Sequence, residues 1–361
     1  MKSQERIGPA AGVDTSTISR LPANGLLGKW QGVGRLRGFR GDPLLEPELA
    51  EDWIGSTVSK SGQGTRGLST LPEHGLLRDV IAADQAAWLG PDASALSATP
   101  ELLVKLLDAG ERLPLHVHPP RDFARAHLDS RFGKSEAWII LDAAPGAEVA
   151  MGFAHDVGRD ELARWVQNQD TSTMLASVAR LPVQTGDAIF CPAGMPHAIG
   201  RDIFLVEVEE PADLSLMLEW DGYAIDGRAD GHLGLGFETA LDCVDRSAWD
   251  LGRLQGLKVP AGSRTELASG VTNLLVPAAD AFFRAQEVTG PRAQLEPGFS
   301  VLVVVGGAGQ ITSRSALRVP VRSGQTYVTP YATGPLTVEG DVRVLRLLPP
   351  QKGGFESSSQ R

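Results

Sequence analysis

Hydrophobic and polar positions along much of this chain change over short distances, which predicts many short strands. Between residues 113 and 209 the apolar segments read LPLHVHP, SEAWIIL, AEVAMGF, DAIFC and DIFLVEVE, and Gly, Pro or Asp residues separate them. Short segments of this kind, punctuated by turn residues, are typical of β-sandwiches and β-barrels. The pattern therefore predicts a mainly β protein.

Two stretches depart from this pattern and predict helices. Residues from about 78 to 110 carry apolar side chains at helical spacing, and so do residues 159–179, whose first turn is acidic as a helix N-terminus prefers. The first sixty residues are interrupted by glycine, which favours short strands and turns over helices. We expect a small helical insertion in an otherwise β-rich fold.

A change in composition near residues 259–263 divides the chain into two predicted domains. The larger one covers residues 1–260 and includes both helical segments, and residues 264–349 form a run of short β segments. The remaining residues, 350–361, are polar and rich in Gly and Ser, so we predict a disordered tail.

Charge and composition exclude several classes of function. The chain has 361 residues, with 34 Lys and Arg against 44 Asp and Glu, a formal charge of −10. This balance argues against nucleic acid or an anionic membrane surface as a partner. Cys191 and Cys243 are the two cysteines, and neither lies in a CxxC pair that would indicate a thiolate zinc site.

No apolar stretch resembles a signal peptide or approaches the roughly 20 residues of a membrane span. We therefore expect a cytoplasmic protein. An exported protein whose signal has already been removed is the alternative.

Three histidines and one glutamate form the candidate metal centre. His116 and His118 lie two residues apart on a predicted strand, so both imidazoles project from one face. Glu136 begins a following predicted strand, and His197 lies in the segment GDAIFCPAGMPHAIG. Two hairpins of a barrel would bring three imidazoles and one carboxylate to its open end, a ligand set that binds divalent transition metals.

These spacings resemble those of the cupin superfamily. The Gly, Pro-Ala-Gly and His spacing around His197 matches the second cupin signature, and His116, His118 and Glu136 resemble the first. The resemblance implies one bound divalent ion, for which we expect zinc, with manganese, iron or nickel as alternatives. We expect the other four histidines to be structural; they are His74, His127, His155 and His232.

Over most of residues 30–260 the chain resembles the type I mannose-6-phosphate isomerases. The segments AEDWIGSTVS, ELLVKLLDAGERLPLHVHP, GKSEAWIIL and ALDCVD occur in the order and spacing of that family. The resemblance implies a bicupin of two β-barrel or jelly-roll units, the second degenerate and without metal ligands. Residues 264–349 contain no histidine, which agrees.

For function, the resemblance implies a metal-dependent aldose–ketose isomerase that interconverts mannose 6-phosphate and fructose 6-phosphate, or a related sugar phosphate, through a cis-enediol. The expected partner is thus a small sugar or sugar phosphate. We expect a monomer or a homodimer.

The same resemblance proposes roles for residues around the metal. Lys134 matches the family's lysine two residues before the glutamate ligand, and we expect it to act in catalysis and in substrate binding. Arg228 is the candidate for the family's catalytic arginine, and Glu207 matches its acidic residue after the last ligand strand. Glu209, on the same strand face as Glu207, and Trp53 are expected to bind substrate.

Three departures from the family leave the sugar open. His116 replaces a glutamine, Leu216 and Met217 stand where Tyr-Arg is usual, and GLGF at residues 234–237 replaces a family element. The alternatives are a cupin isomerase of a different sugar and a sugar-binding metal cupin without catalysis. The three-His, one-Glu set alone also fits an iron cupin dioxygenase.

Overall fold

The computed structural model describes residues 12–91 and 99–351. The strands up to residue 260 are β1 (Ser19–Leu21), β2 (Gly25–Leu26), β3 (Glu51–Ile54), β4 (Thr70–Leu71), β5 (Gly75–Leu76), β6 (Leu103–Ala109), β7 (His116–Val117), β8 (Glu136–Ala143), β9 (Glu148–Phe153), β10 (Val178–Pro182), β11 (Ala188–Cys191), β12 (His197–Ile199), β13 (Ile203–Glu209), β14 (Leu216–Met217) and β15 (Lys258–Val259). The later strands are β16 (Thr265–Ala268), β17 (Val271–Asn273), β18 (Arg284–Val288), β19 (Arg292–Leu295), β20 (Ser300–Thr312), β21 (Arg318–Arg322), β22 (Thr326–Thr329) and β23 (Leu336–Leu348).

The helices are short and lie mainly before residue 260. They are α1 (Arg35–Arg40), α2 (Leu77–Ala83), α3 (Gln85–Leu89), α4 (Arg121–His127), α5 (Arg159–Asn168), α6 (Thr171–Ser177), α7 (Gly227–Asp230), α8 (Phe237–Ala240) and α9 (Leu251–Gln255), with 3₁₀ turns at Leu241–Cys243, Pro277–Ala279 and Tyr331–Thr333. Among these described helices, none has the length and apolar character needed to cross a bilayer.

The first barrel consists of two antiparallel sheets that share an apolar interior. One has the order β15-β11-β8-β13-β6-β3-β2 and the other the order β10-β9-β12-β7-β14. Trp138 and Ile140 from the first sheet pack with Met151 and Ile199 from the second, and all four are at most 2% exposed. This shared interior fixes the two sheets face to face and positions the strand ends that carry the polar site.

The second barrel is a single antiparallel sheet with the order β1-β22-β20-β23-β18-β17-β16, to which β19 and β21 add on. Alternate side chains of β23 divide between two surroundings. Val342 and Val344 face the interior of the second barrel. Leu345 and Leu347 instead pack with Val206 and Phe190 of the first barrel. A buried apolar layer therefore joins the two barrels.

The mainly β fold is confirmed, but the helix expected over residues 78–110 is only partly present. Its first part contains helices α2 and α3, whereas residues 103–109 form strand β6. Every residue of β6 is buried. β6 lies between β3 and β13 with both faces covered, so its sequence is a nearly continuous apolar run. Such a run has no period-two alternation and cannot be told from a buried helix by spacing.

Three further features differ from the sequence expectations or complete them. The first sixty residues contain helix α1 in addition to short strands. Strand β1 pairs with β22, so residues 19–21 belong to the sheet of the second barrel although the predicted boundary put them in the first domain. Helices α5 and α6 lie in the stretch 159–179. The predicted disordered tail falls almost wholly on residues 352–361, outside the described residues.

Candidate metal centre and active site

Strand register brings the four predicted ligands together at one end of the first barrel. His197 at the start of β12 lies directly across from His116 of β7 in one sheet. Glu136 at the start of β8 lies across from Cys191 and Glu209 in the other sheet. His118 follows β7 on the face it shares with His116, so both sheets contribute to one cluster.

The four side chains are close enough to share one cation. The centroid of the His116 imidazole lies 4.9 Å from that of His118 and 4.2 Å from that of His197. The Glu136 carboxylate lies 3.0 Å from His118 Nε2 and 3.1 Å from His197 Nε2. The ligand atoms of the three histidines all lie within 4.8 Å of one another.

Each imidazole is oriented by a backbone carbonyl. His116 Nδ1 donates to the carbonyl of Pro114 at 2.8 Å, and His118 Nδ1 to that of Leu214 at 2.7 Å. His197 Nδ1 does the same with Met195 at 2.8 Å. Because these bonds place the proton on Nδ1, the lone pair of each imidazole lies on Nε2, the atom that would bind a metal, as is usual around protein-bound metals.

Burial and charge prepare these groups as ligands. Burial lowers the pKa of His118 to about 4, assisted by the ammonium of Lys134, and it also lowers the pKa of His116 well below its usual value. Burial alone would raise the pKa of Glu136, but Lys134 and His118 lower it far more. At neutral pH His116 and His118 are thus neutral imidazoles and Glu136 is a carboxylate anion, as metal binding requires. Burial alone would lower the pKa of His197, but Cys191 and Glu136 raise it to about 10, so a metal would displace a proton there.

The residues present fit a divalent cation. Three imidazole nitrogens and one carboxylate match the ligand preferences of zinc and neighbouring metals. His197 Nε2 is buried and forms no hydrogen bond within the described residues, although Glu136 Oε1 lies 3.1 Å from it. The Lys134 ammonium lies 2.8 Å from His118 Nε2 and 2.9 Å from Glu136 Oε2. The cluster therefore already attracts a positive charge.

Two buried lysines and two buried glutamates extend the cluster along the strands. Lys134 Nζ lies 2.9 Å from Glu209 Oε1, and Lys105 Nζ lies 2.7 Å from the same oxygen and 3.4 Å from Glu207. Burial alone would lower the pKa of Lys134, but Glu136 and Glu209 raise it above its usual value. Burial and the charge of Glu207 raise the pKa of Glu209 to about 8.

A cavity of about 730 Å³ opens onto this network. Its wall includes His116, His118, Lys134, Glu136 and Glu207. This volume is within the range typical of small-molecule sites, roughly 300–1,000 Å³. A ligand in the cavity would contact the candidate metal centre and the lysine network together.

The structure separates the other predicted residues. Trp53 lines the cavity, with its ring 5.0 Å from Lys105 Nζ and its indole nitrogen donating to Glu51. Glu209 is fully buried behind the wall, where it holds the two lysines and does not reach the cavity surface. We therefore assign it a positioning role in place of the expected substrate contact.

Arg228 is not brought to the site, which corrects the expectation that it is the catalytic arginine. Its side chain is exposed on helix α7 and donates to the carbonyl of Gln167 at 3.4 Å. Asp226 caps the N-terminus of this helix. Ala229 and Asp230, the next two residues after Arg228, line the cavity, and Arg228 does not. The helix turn thus directs residue 228 away from the metal centre.

Sequence reasoning missed several charged residues of the cavity wall, among them Lys29, Lys60, Glu51 and Lys105. Burial lowers the pKa of Lys29, partly opposed by Asp213. Its Nζ lies 3.8 Å from Met217 Sδ, and no carboxylate of the described residues lies within ion-pair distance of it. Lys29 lies in a glycine-rich stretch without periodicity, so no pattern in the sequence indicated a role for it.

Comparisons with known proteins agree with this geometry. A probable mannose-6-phosphate isomerase of Bacillus subtilis (strain 168), named GmuF, is 29% identical over 185 residues, which cover 51% of this chain and 55% of that protein. The mannose-6-phosphate isomerase of Streptococcus mutans is 29% identical over 183 residues, 50% of this chain and 54% of that protein. The chain thus matches about half the length of these curated relatives. No family model matches the chain.

Solved structures extend the likeness over almost the whole chain. The mannose 6-phosphate isomerase of Bacillus subtilis superimposes with a TM-score of 0.73 at 19% identity, covering 91% of this chain and 99% of that one. A putative mannosephosphate isomerase from Archaeoglobus fulgidus gives a TM-score of 0.68 at 18% identity, with 92% and 98% covered. At these identities the superpositions show a shared fold.

Two barrels, one with three imidazoles and a carboxylate at its open end, define a bicupin with a candidate metal centre. Within this class, the sequence matches over about half the chain and the shared fold make the chain similar to mannose-6-phosphate isomerases.

Proposed function

We propose that this protein is a metal-dependent aldose–ketose isomerase that interconverts mannose 6-phosphate and fructose 6-phosphate. The observation that carries the proposal is a cluster of four candidate ligands beside a cavity: His116, His118 and Glu136 line it, and His197 lies next to them. The same cavity wall holds Lys29 and Lys60, and no carboxylate of the described residues lies at ion-pair distance from either lysine. A cation beside a sugar-sized space suits polarisation of a sugar carbonyl, and free ammonium groups suit a phosphate.

The four ligands would hold one divalent ion, for which we propose zinc. When bound, this ion acts as a Lewis acid that draws electron density from the oxygens on the first two carbons of the sugar. The histidine nitrogens are already oriented by backbone carbonyls, so binding needs little rearrangement of the imidazoles.

Isomerisation moves a proton between two neighbouring carbons, and Glu207 is the proposed acceptor. It lines the cavity, and its carboxylate is held by the indole N–H of Trp138 at 3.1 Å and by Lys105 at 3.4 Å. Being a carboxylate, it can accept a carbon-bound proton and return it to the neighbouring carbon.

Lys134 is proposed to serve the oxygens of the substrate. Glu136 and Glu209 keep it protonated, so it can donate a hydrogen bond to the sugar oxygen that gains negative charge in the enediol. Trp53 then provides an apolar surface for one face of the sugar, as aromatic side chains do in carbohydrate sites.

Lys29 and Lys60 are proposed to bind the phosphate. Both lysines line the same cavity as His116, His118 and Glu136, which supports this role. An isomerase of a different sugar is the second candidate, favoured by one observation: the expected catalytic arginine, Arg228, lies outside the cavity. A cytoplasmic location and the state of monomer or homodimer stay predictions.

A coupled assay with zinc-, manganese- or iron-loaded protein tests the proposal. Mannose 6-phosphate, fructose 6-phosphate, mannose and a panel of other aldose phosphates serve as substrates. Turnover of mannose 6-phosphate supports the main candidate, and turnover of another sugar alone supports the second. Metal-loaded protein that converts none of them would contradict both.

A further inference from the structure

The open end of the second barrel carries a polar cluster unlike that of the first. On β23 the interior side chains Val342 and Val344 are followed by Arg346, which is 3% exposed. Across the sheet, Gln286 of β18 and Leu302 of β20 lie directly opposite Arg346. An arginine thus occupies an interior position at the point where the apolar filling of this barrel ends.

Arg346 is incompletely paired for a buried charge. Its Nε donates to Ser300 Oγ at 3.3 Å and its Nη2 to the carbonyl of Glu296 at 2.7 Å. A guanidinium has five N–H donors, so several remain, and within the described residues no carboxylate forms an ion pair with it. The facing Gln286 Oε1 is also buried without a hydrogen-bond partner.

A second arginine increases the local positive charge. Arg284 Nε donates to the carbonyl of Pro349 at 3.1 Å, and no carboxylate in residues 12–91 and 99–351 forms an ion pair with Arg284. Burial, and then the charge of Arg284, lower the pKa of Arg346 to about 10. Two neighbouring guanidinium groups without carboxylates in contact are electrostatically unfavourable, and a bound anion would relieve this.

Both arginines face a cavity of about 560 Å³. Its wall also contains Gln286 and the apolar side chains of Leu295 and Phe299. None of its lining residues lines the cavity of the metal centre. The volume accommodates a small metabolite and not merely an inorganic ion.

The cavity wall has two acidic side chains, and neither forms an ion pair with Arg346. Glu101 forms an ion pair with Arg131 instead. Glu296 is exposed, accepts a hydrogen bond from Arg346 through its backbone carbonyl, and its carboxylate offsets part of the charge from beyond ion-pair distance. The positive end of the cavity therefore remains available to a ligand.

We propose that this cavity is a second ligand site, which binds a small organic oxyanion through Arg346 and Arg284. The shared chemistry is a phosphate ester or a carboxylate: either presents oxygens that accept paired N–H bonds from guanidinium groups, while the carbon skeleton packs on Leu295 and Phe299. Among the described residues, no cluster of metal-ligating side chains lines this cavity, so we assign the site a binding role.

Isothermal titration of the full-length, metal-loaded protein with inorganic phosphate and with citrate tests the proposal. Each titration is repeated on His197→Ala, which removes a metal ligand, and on Lys29→Met, which removes a charge of the phosphate site proposed in the first barrel. The expected result is that one or both probes bind both variants as tightly as they bind the parent at the second site. A preference for phosphate identifies a phosphate ester as the ligand class, and a preference for citrate identifies a carboxylate.

Arg346→Met and Arg284→Gln, made in the His197→Ala background, should each weaken this binding by about tenfold or more, since a charge-assisted hydrogen bond is worth roughly 1.5–3 kcal/mol. The matched control is Arg343→Gln, an exposed arginine three positions earlier on the same strand, which should leave affinity unchanged. Should Arg346→Met fail to fold, Arg284→Gln alone decides. Absence of binding by either probe, or equal binding by all variants, would overturn the proposal.

Discussion

The two barrels of this chain have similar antiparallel architecture and opposite chemistry at their open ends. In the first, His116, His118 and His197 meet Glu136 around a point that attracts a cation. In the second, Arg346 and Arg284 face a cavity that lacks histidine and attracts an anion. In both barrels, strands present polar side chains at the edge of an apolar interior. Whether these side chains are histidine and glutamate or arginine decides the charge of the ligand that can bind.

The two ends also differ in how their charges are balanced. Lys105 and Lys134 of the first barrel are each paired with buried glutamates within the protein itself. Arg346 has only hydroxyl and carbonyl partners in the described residues. The paired lysines and glutamates of the first barrel hold one another in position for chemistry. The positive charge of Arg346, which has no carboxylate partner among the described residues, is explained by an anionic ligand that pairs with it.

The largest effect is expected on metal content, which a ligand variant in the first barrel should abolish and an arginine variant in the second should not. His197→Ala removes one of the four proposed ligands, so metal affinity should fall by more than about 100-fold, since loss of a residue that only supports a ligand costs up to about 100-fold. The proposed isomerase activity should fall to background. Elemental analysis and the coupled assay measure both. Arg346→Met, in the other barrel, is the matched control and should retain one metal ion per chain. Full metal content in His197→Ala would show that the ligand set is wrong.

The next effect is expected at Lys134, which touches the ligands without being one of them in the proposal. Lys134→Met should lower kcat by about 10²–10⁴-fold while the metal content stays near that of the parent, because a positioned proton donor contributes a factor of this size. Steady-state kinetics with parallel metal analysis distinguish this from ligand loss. A normal kcat would remove Lys134 from the mechanism.

A smaller effect is expected at Lys29, a half-buried ammonium with no carboxylate of the described residues at ion-pair distance. Lys29→Met should raise KM for mannose 6-phosphate about 10- to 100-fold, as expected for one charge-assisted contact, and change kcat little. Arg228→Met, exposed on α7, is the control and should leave both constants unchanged. An unchanged KM in Lys29→Met would place the phosphate elsewhere.

The smallest effect on activity is expected from the core of the second barrel. Ile311 is 1% exposed in its interior, so Ile311→Ala should lower the free energy of unfolding by about 2–5 kcal/mol. Metal content and kcat, measured on the folded protein at low temperature, should not change. Loss of metal from the folded variant would show that the two barrels are coupled more tightly than their separate sites indicate.

Sequence reasoning reached the metal centre because its signal is local. The spacing of His116 and His118 on one strand, and the turn residues before His197, specify side-chain direction within a few residues. Strand β6 was mistaken for a helix because both of its faces are buried, a fact set by β3 and β13 far along the chain. The spacing of residues within a short segment does not show which distant strands will cover it.

The residues that were missed or misplaced depend on distant contacts. Lys29 reaches the cavity through packing against Met217, which lies far along the chain. Arg228 was chosen by likeness to a motif, and its direction was decided by the cap and turn of α7. The pairing of β1 with β22 joins the beginning of the described chain to its end, and a three-residue strand gives no sign of such a partner.

The most direct test of the account is a crystal structure of the metal-loaded protein with anomalous diffraction measured at the absorption edge of the bound metal. The account predicts one anomalous peak per chain, placed among the three Nε2 atoms and the Glu136 carboxylate of the first barrel, and none in the second barrel. A peak elsewhere, or protein saturated with zinc that shows no peak at these four residues, would contradict it.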